Sequence, residues 1–113
     1  MGNKLEKYLI EIGRAPFLSV EEEIKLAKAI QQKGADCDEM KKLKLAMSGF
    51  TVSSARQHMN KGLSFEELIE AGTEGLRRAA MEYDLDSDTM FYIHGAWEIN
   101  QAMIQAIKEK KKQ

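Results

Sequence analysis

Residues 61–76, with the sequence KGLSFEELIEAGTEGL, contain the most strongly specified helix start in the chain. Ser64 and Glu67 have the spacing of a capping box, in which a hydroxyl and a carboxylate each accept a hydrogen bond from an otherwise unpaired backbone N–H. Apolar residues then recur with helical spacing. The pattern predicts a helix that begins at Ser64 and ends near Tyr83.

The remaining sequence also has the apolar periodicity of helices, and it lacks the turn pairs and the alternation that mark β-hairpins. The predicted helices cover about residues 5–12, 20–33, 38–59, 64–83 and 90–108. Ser19 and Glu22 form a second capping box, and Gly34 is placed to end the helix that follows it. We therefore expect an all-α fold, a compact bundle of about five helices.

The last predicted helix carries an apolar stripe. Its members are Ile93, Ala96, Trp97, Ile104 and Ile107. A single Trp among Ile neighbours is more often part of a core than of a binding surface. Residues alone therefore favour packing of this stripe against the rest of the bundle.

Composition restricts the class of protein. A chain of 113 residues with a net charge of −1 is typical of one domain with no overall preference for nucleic acid or membrane. No apolar run approaches the ~20 residues that span a bilayer. The single Cys37 has no disulfide partner within the chain. We expect a cytoplasmic protein with no membrane association.

Catalysis and metal binding have little support in the sequence. His58 and His94 lack further ligands at metal-binding spacing, and no nucleophile–base motif is present. The acidic run from Asp84 to Asp88 imitates the start of a calcium loop, but the required Gly and Glu are missing. We expect no enzyme activity, no cofactor and no metal.

Two helical faces remain as candidate binding surfaces. The first is acidic and consists of Glu66, Glu70 and Glu74. The second is aromatic and polar and consists of His94, Trp97, Glu98, Gln101 and Gln105. Like charges at i, i+4 repel slightly, which a cationic partner would offset, although a solvated face is the simpler interpretation. The aromatic face has the residue types that stack on and hydrogen-bond to exposed bases.

Three segments resemble the sigma-70 family of bacterial RNA polymerase sigma factors. Residues 8–30, YLIEIGRAPFLSVEEEIKLAKAI, are similar to the family's first conserved segment. Residues 60–76 resemble its core-binding helix, and residues 91–102 its promoter helix. The resemblance implies an N-terminal segment at 1–33, a core resembling the sigma second domain at 34–109 and a basic tail at 110–113. It also implies a role in transcription initiation.

The resemblance implies contacts with a coiled coil of the largest subunit of the polymerase core. The residues at the matching positions are Glu67, Leu68, Glu70, Ala71, Thr73 and Arg77. Ala71 replaces a usual glutamate, and Thr73 replaces a usual asparagine. We expect core binding to be retained.

The resemblance further implies capture of the non-template strand of the minus-ten promoter element. The matching positions hold Phe91, His94, Trp97, Asn100 and Gln101. His94 stands where a tyrosine is usual, Glu98 where a second tryptophan is usual, and Asn100 where an arginine is usual. Met90 and Gln105 replace basic residues.

Charge opposes strong promoter binding. Residues 81–107 contain five acids and no Lys or Arg, whereas phosphate contacts by such residues supply much of the affinity for a nucleic acid strand. We expect this domain alone to bind promoter DNA poorly. The alternative is a sigma-like interaction module that binds polymerase or another partner without melting DNA.

Overall fold

All regular structure in residues 18–112, the part of the chain that the computed structural model describes, is α-helical. The four helices are α1 Val20–Lys33, α2 Asp38–Gln57, α3 Phe65–Glu82 and α4 Phe91–Lys111. The all-α class is therefore confirmed over this range, with four helices in place of the expected five. The helix predicted at residues 5–12 lies outside the described residues.

Both predicted capping boxes are present. Ser19 Oγ accepts from Glu22 N–H at 3.2 Å, and Ser64 Oγ accepts from Glu67 N–H at 3.1 Å. Each glutamate in turn accepts from the backbone N–H of its serine. This hydrogen bonding holds the pKa values of Glu22 and Glu67 below their usual value, since it stabilises the charged carboxylates. Local sequence thus sets the start of α1 and of α3.

The α3–α4 corner is held by side chains from α1. Gln31 Nε2 donates to the carbonyl oxygens of Ala80 (3.0 Å) and Tyr83 (2.7 Å) at the end of α3. The buried Glu23 carboxylate accepts from the backbone N–H of Tyr92, in the first turn of α4, where Met90 provides no side-chain cap. Burial raises the pKa of Glu23, and this hydrogen bond opposes part of the rise. Helix α1 therefore fixes the orientation of the start of α4 relative to the end of α3.

At Gly75, helices α3 and α4 approach each other so closely that a residue with a Cβ atom would not fit. A Cβ atom added to Gly75 would lie 2.5 Å from the backbone carbonyl oxygen of Glu98 and 2.8 Å from Ala102 Cβ. The glycine that interrupts the helical pattern of α3 is therefore the contact point of the two helices. The core around this crossing includes Leu68, Leu76, Phe91, Ile99 and Met103, all fully or almost fully buried.

The predicted buried stripe of α4 is wrong for its two largest members. Ile93 is 58% exposed and Trp97 is 59% exposed. The helix instead packs through a second stripe, whose buried members are Phe91, Gly95, Ile99, Ala102, Met103 and Ile107. Since α4 is apolar on both sides, periodicity alone could not select the buried one. Ile107 is the one member of the predicted stripe that lies fully in the core.

Within residues 18–112, no helix combines the length and apolar character that crossing a bilayer requires.

Candidate functional site

The predicted core-binding residues fall into two groups by exposure. Glu67 and Glu70 are exposed on α3, and Ala71, Thr73 and Arg77 are half-buried. Leu68 is fully buried and packs in the core, so it supports the helix and offers no surface to a partner, contrary to the contact expected for it. Glu70 is left as the most accessible acceptor of the predicted set, because the Glu67 carboxylate already accepts from Ser64 N–H.

Arg77 is held in a small ion-pair network. Its guanidinium donates to Glu74 Oε1 at 3.0 Å and to Asp36 Oδ1 at 3.2 Å, in the segment between α1 and α2. Glu74 is therefore paired with Arg77, three residues further along α3. Thr73 Oγ1 donates to the Ile69 carbonyl at 2.8 Å, within its own helix. The Thr73 and Arg77 side chains, two of the predicted core-binding residues, therefore already make hydrogen bonds within this chain.

A groove of about 890 Å³ lies between α2 and α3, beside these residues. Its apolar lining comes from Leu45, Val52, Ile69 and Leu76, with Ser48, Thr51 and Thr73 between them. Lys41 and Lys44 line it from α2, whereas Glu70 and Glu74 line it from α3. The two walls thus carry opposite charge above an apolar floor. Sequence reasoning did not identify the lysine wall, although two lysines three apart on an amphipathic helix were a visible signal.

The predicted DNA-binding residues of α4 are not all on one accessible surface. Phe91 is fully buried, and its ring packs edge-to-face on Tyr83 with centroids 5.2 Å apart. It anchors α4 and cannot stack on a base in this conformation. His94 is half-buried beside the same two rings, and its Nε2 has no hydrogen-bond partner within the described residues. Trp97 is well exposed, and Gln101 is half-buried.

Asn100 forms part of an internal network between α2 and α4. Its Oδ1 lies 2.7 Å from His58 Nε2 and accepts from Ser54 Oγ at 3.2 Å. An amide oxygen only accepts, so His58 carries its proton on Nε2, and Nδ1 is free to accept from Lys61 Nζ at 3.4 Å. The residue at the family's arginine position therefore joins two helices and is not directed at a nucleic acid.

We expect Asn100→Ala to lower the free energy of unfolding by about 2 kcal/mol, because it leaves the buried His58 and Ser54 donors without a partner. Urea unfolding of the two proteins measures the difference. Gln101→Ala, at the adjacent position, serves as the control and should change stability by less than about 0.5 kcal/mol. Equal stability of Asn100→Ala and the parent chain would contradict the network.

Comparison with known proteins identifies the sequence family. Residues 5–35 match the family model described as Sigma-70 factor, region 1.2. The chain is 39% identical over 103 residues to the RNA polymerase sigma factor SigA of Clostridium acetobutylicum, an alignment that covers 91% of this chain and 27% of that protein. It is 33% identical over 110 residues to SigA of a Bacillus species, covering 97% of this chain and 29% of the relative.

A similar match is found to SigA of Listeria monocytogenes, with 33% identity over 110 residues. The chain therefore spans between a quarter and a third of the length of the curated relatives it matches. The similarity extends across nearly all of this chain, including the helices that carry both candidate surfaces. The chain belongs to the sigma-70 family of RNA polymerase sigma factors.

Proposed function

We propose that this chain takes part in transcription initiation by binding the core of RNA polymerase through the exposed side of α3 and the adjoining groove. The relatives are named RNA polymerase sigma factors, which supports polymerase as the partner. The observation that carries the proposal is the position of Glu70. Glu70 is exposed and lies on the rim of an apolar groove. A partner seated in the groove would exclude water from its contact with the Glu70 carboxylate.

The groove suits a helical partner with charge on both flanks. Ile69, Val52 and Leu45 offer the apolar floor on which a helix could seat its own apolar side chains. A basic flank would face Glu70 and Glu74, and an acidic flank would face the lysines of α2. A coiled coil, as implied by the family resemblance, presents such a helix. Oppositely charged walls also fix the direction in which the helix lies.

The proposed contact set is narrower than the family positions alone suggest. Glu70, Ala71 and Thr73 make direct contacts. Glu67 orients the start of α3 through its capping box, and Leu68 anchors the helix in the core. Arg77 holds Glu74 at the groove rim. Ala71 has only a methyl group, so it lets the partner approach α3 closely and makes no side-chain hydrogen bond.

The direct test is binding of the whole chain to purified bacterial core polymerase. The chain should form a complex and should be displaced by a full-length housekeeping sigma factor, because both would occupy the same coiled coil. Absence of a complex, or a complex that the sigma factor does not displace, would remove the proposal.

Minus-ten recognition is the second candidate, and the exposure of Trp97 favours it. An indole on the surface can stack on an unpaired base. With core polymerase present, a labelled single-stranded minus-ten oligonucleotide should bind more tightly when the chain is added, and Trp97→Ala should remove that gain. Met59→Ala, at an exposed apolar residue after α2, is the matched control. No gain over core polymerase alone would leave this candidate without support.

A further inference from the structure

Helix α4 exposes an apolar stripe that the proposed docking through α3 leaves uncovered. The stripe consists of Met90, Ile93 and Trp97, which are 43%, 58% and 59% exposed. The half-buried Ile104 lies about two helical turns further along the same side. Isolated exposed apolar residues are ordinary, but a row of three large ones along one helix is typical of an interaction surface.

The two ends of this stripe carry opposite charge. The acidic end consists of the exposed Asp84, Asp86 and Asp88, which precede the stripe in the sequence. Beyond it lies the basic end, Lys108 and Lys111, about three and four helical turns after Trp97 and therefore on the same side of the helix.

The acidic end is held in a defined place relative to α4. Tyr83 Oη donates to the Thr89 carbonyl at 2.6 Å, which closes the loop against the start of the helix. Within the loop, Asp86 N–H donates to Asp84 Oδ1, and Ser87 N–H donates to the Asp84 carbonyl. The carboxylates of Asp86 and Asp88 thus project from an ordered loop at the first turn of α4.

We propose that this stripe binds a second copy of the chain, with the two α4 helices antiparallel about a twofold axis between Trp97 and Ile104. This arrangement stacks the apolar stripes on each other. It also places each acidic end against the basic end of the other copy. A twofold interface must be complementary to itself, and an apolar centre between one acidic and one basic end meets that requirement. A parallel arrangement would place acid on acid.

The charges favour a second copy over the other occupants. A nucleic acid strand would meet the three aspartates at one end of the stripe, and residues 81–107 offer no Lys or Arg to its phosphates. A uniformly basic helix would satisfy the acidic end but would repel Lys108 and Lys111. Glu98, the one acid between Met90 and Lys108, is half-buried, and its backbone carbonyl lies against Gly75 of α3.

Dimer formation would cover Trp97 and leave the groove between α2 and α3 open. Self-association and base capture would then compete for one residue, whereas polymerase docking would be independent of both. The chain would bind single-stranded DNA only as a monomer.

Charge reversal at the two ends tests the proposal. One variant carries Asp86→Lys and Asp88→Lys, and the other carries Lys108→Glu and Lys111→Glu. By sedimentation equilibrium, the parent chain should dimerise with a Kd of ~10 μM, and the Kd of each variant alone should be higher by about tenfold or more. An equimolar mixture of the two variants should recover dimers, since opposite ends then attract.

Lys110→Glu is the matched control for the single variant Lys108→Glu, because the two substitutions make the same change in net charge and Lys110 lies about 140° around the helix from Trp97. It should leave the dimer intact. A parent chain that stays monomeric at ~500 μM overturns the proposal, as does a mixture that stays monomeric or an equal effect of Lys110→Glu. A monomeric chain that binds the minus-ten oligonucleotide would assign the stripe to DNA. Core binding, measured on the same variants, should be unchanged and reports separately on the proposed function.

Discussion

Gly75→Ala should lower the free energy of unfolding by about 3 kcal/mol or more, although alanine is the better helix former by about 1 kcal/mol. The added methyl group would lie 2.5 Å from the Glu98 carbonyl oxygen and 2.8 Å from Ala102 Cβ. Neither neighbour can rotate away, because one belongs to the backbone and the other is itself a Cβ atom. The two helices must separate, and the separation disturbs the whole α3–α4 core. Urea unfolding followed by circular dichroism measures the loss.

Gly72→Ala is the matched control on the same helix. A methyl group there would meet Met103 Cε at 2.6 Å, the tip of a flexible side chain, and Ile99 Cγ2 at 3.1 Å. Met103 can adopt another rotamer, so the gain in helix propensity offsets much of the cost, and a change of about 1 kcal/mol or less is expected. Similar losses for the two substitutions would show that the close approach at Gly75 is not what limits the packing.

Glu70→Lys should weaken binding to core polymerase by about tenfold or more, because it reverses a charge at the rim of the proposed groove. The side chain is exposed, so the substitution should leave the fold intact. Glu82→Lys makes the same change of charge at the exposed C-terminal end of α3, away from the groove lining, and should bind as the parent chain does. Equal loss from the two variants would indicate attraction by net charge without a defined site.

Sequence predicted the fold well where local chemistry decides. The serine and glutamate of each capping box lie three residues apart, so the beginnings of α1 and α3 were visible in the sequence. The helical class followed from apolar spacing. Apolar spacing could not predict which of the two apolar sides of α4 is buried. That choice depends on Tyr83, Gly75 and Leu76, which contact α4 only in the folded chain.

The binding surfaces were predictable only in part, for a similar reason. Resemblance to a family assigns roles to positions, whereas exposure depends on packing. Leu68 and Phe91 stand at matching positions but are buried. Asn100 meets Ser54 and His58, more than 40 residues earlier in the sequence, and no local pattern reveals that network. The acidic residues of α3 were found from their spacing, but the groove beside them requires α2 as its second wall.

The most direct test of the account is the affinity of the whole chain for core RNA polymerase, measured by fluorescence anisotropy with a dye at Cys37, the only cysteine of the chain. We predict saturable binding that a full-length sigma factor displaces and that Glu70→Lys weakens about tenfold, while Glu82→Lys has no effect. No saturable binding, or binding that neither the sigma factor nor Glu70→Lys changes, would contradict polymerase docking through α3.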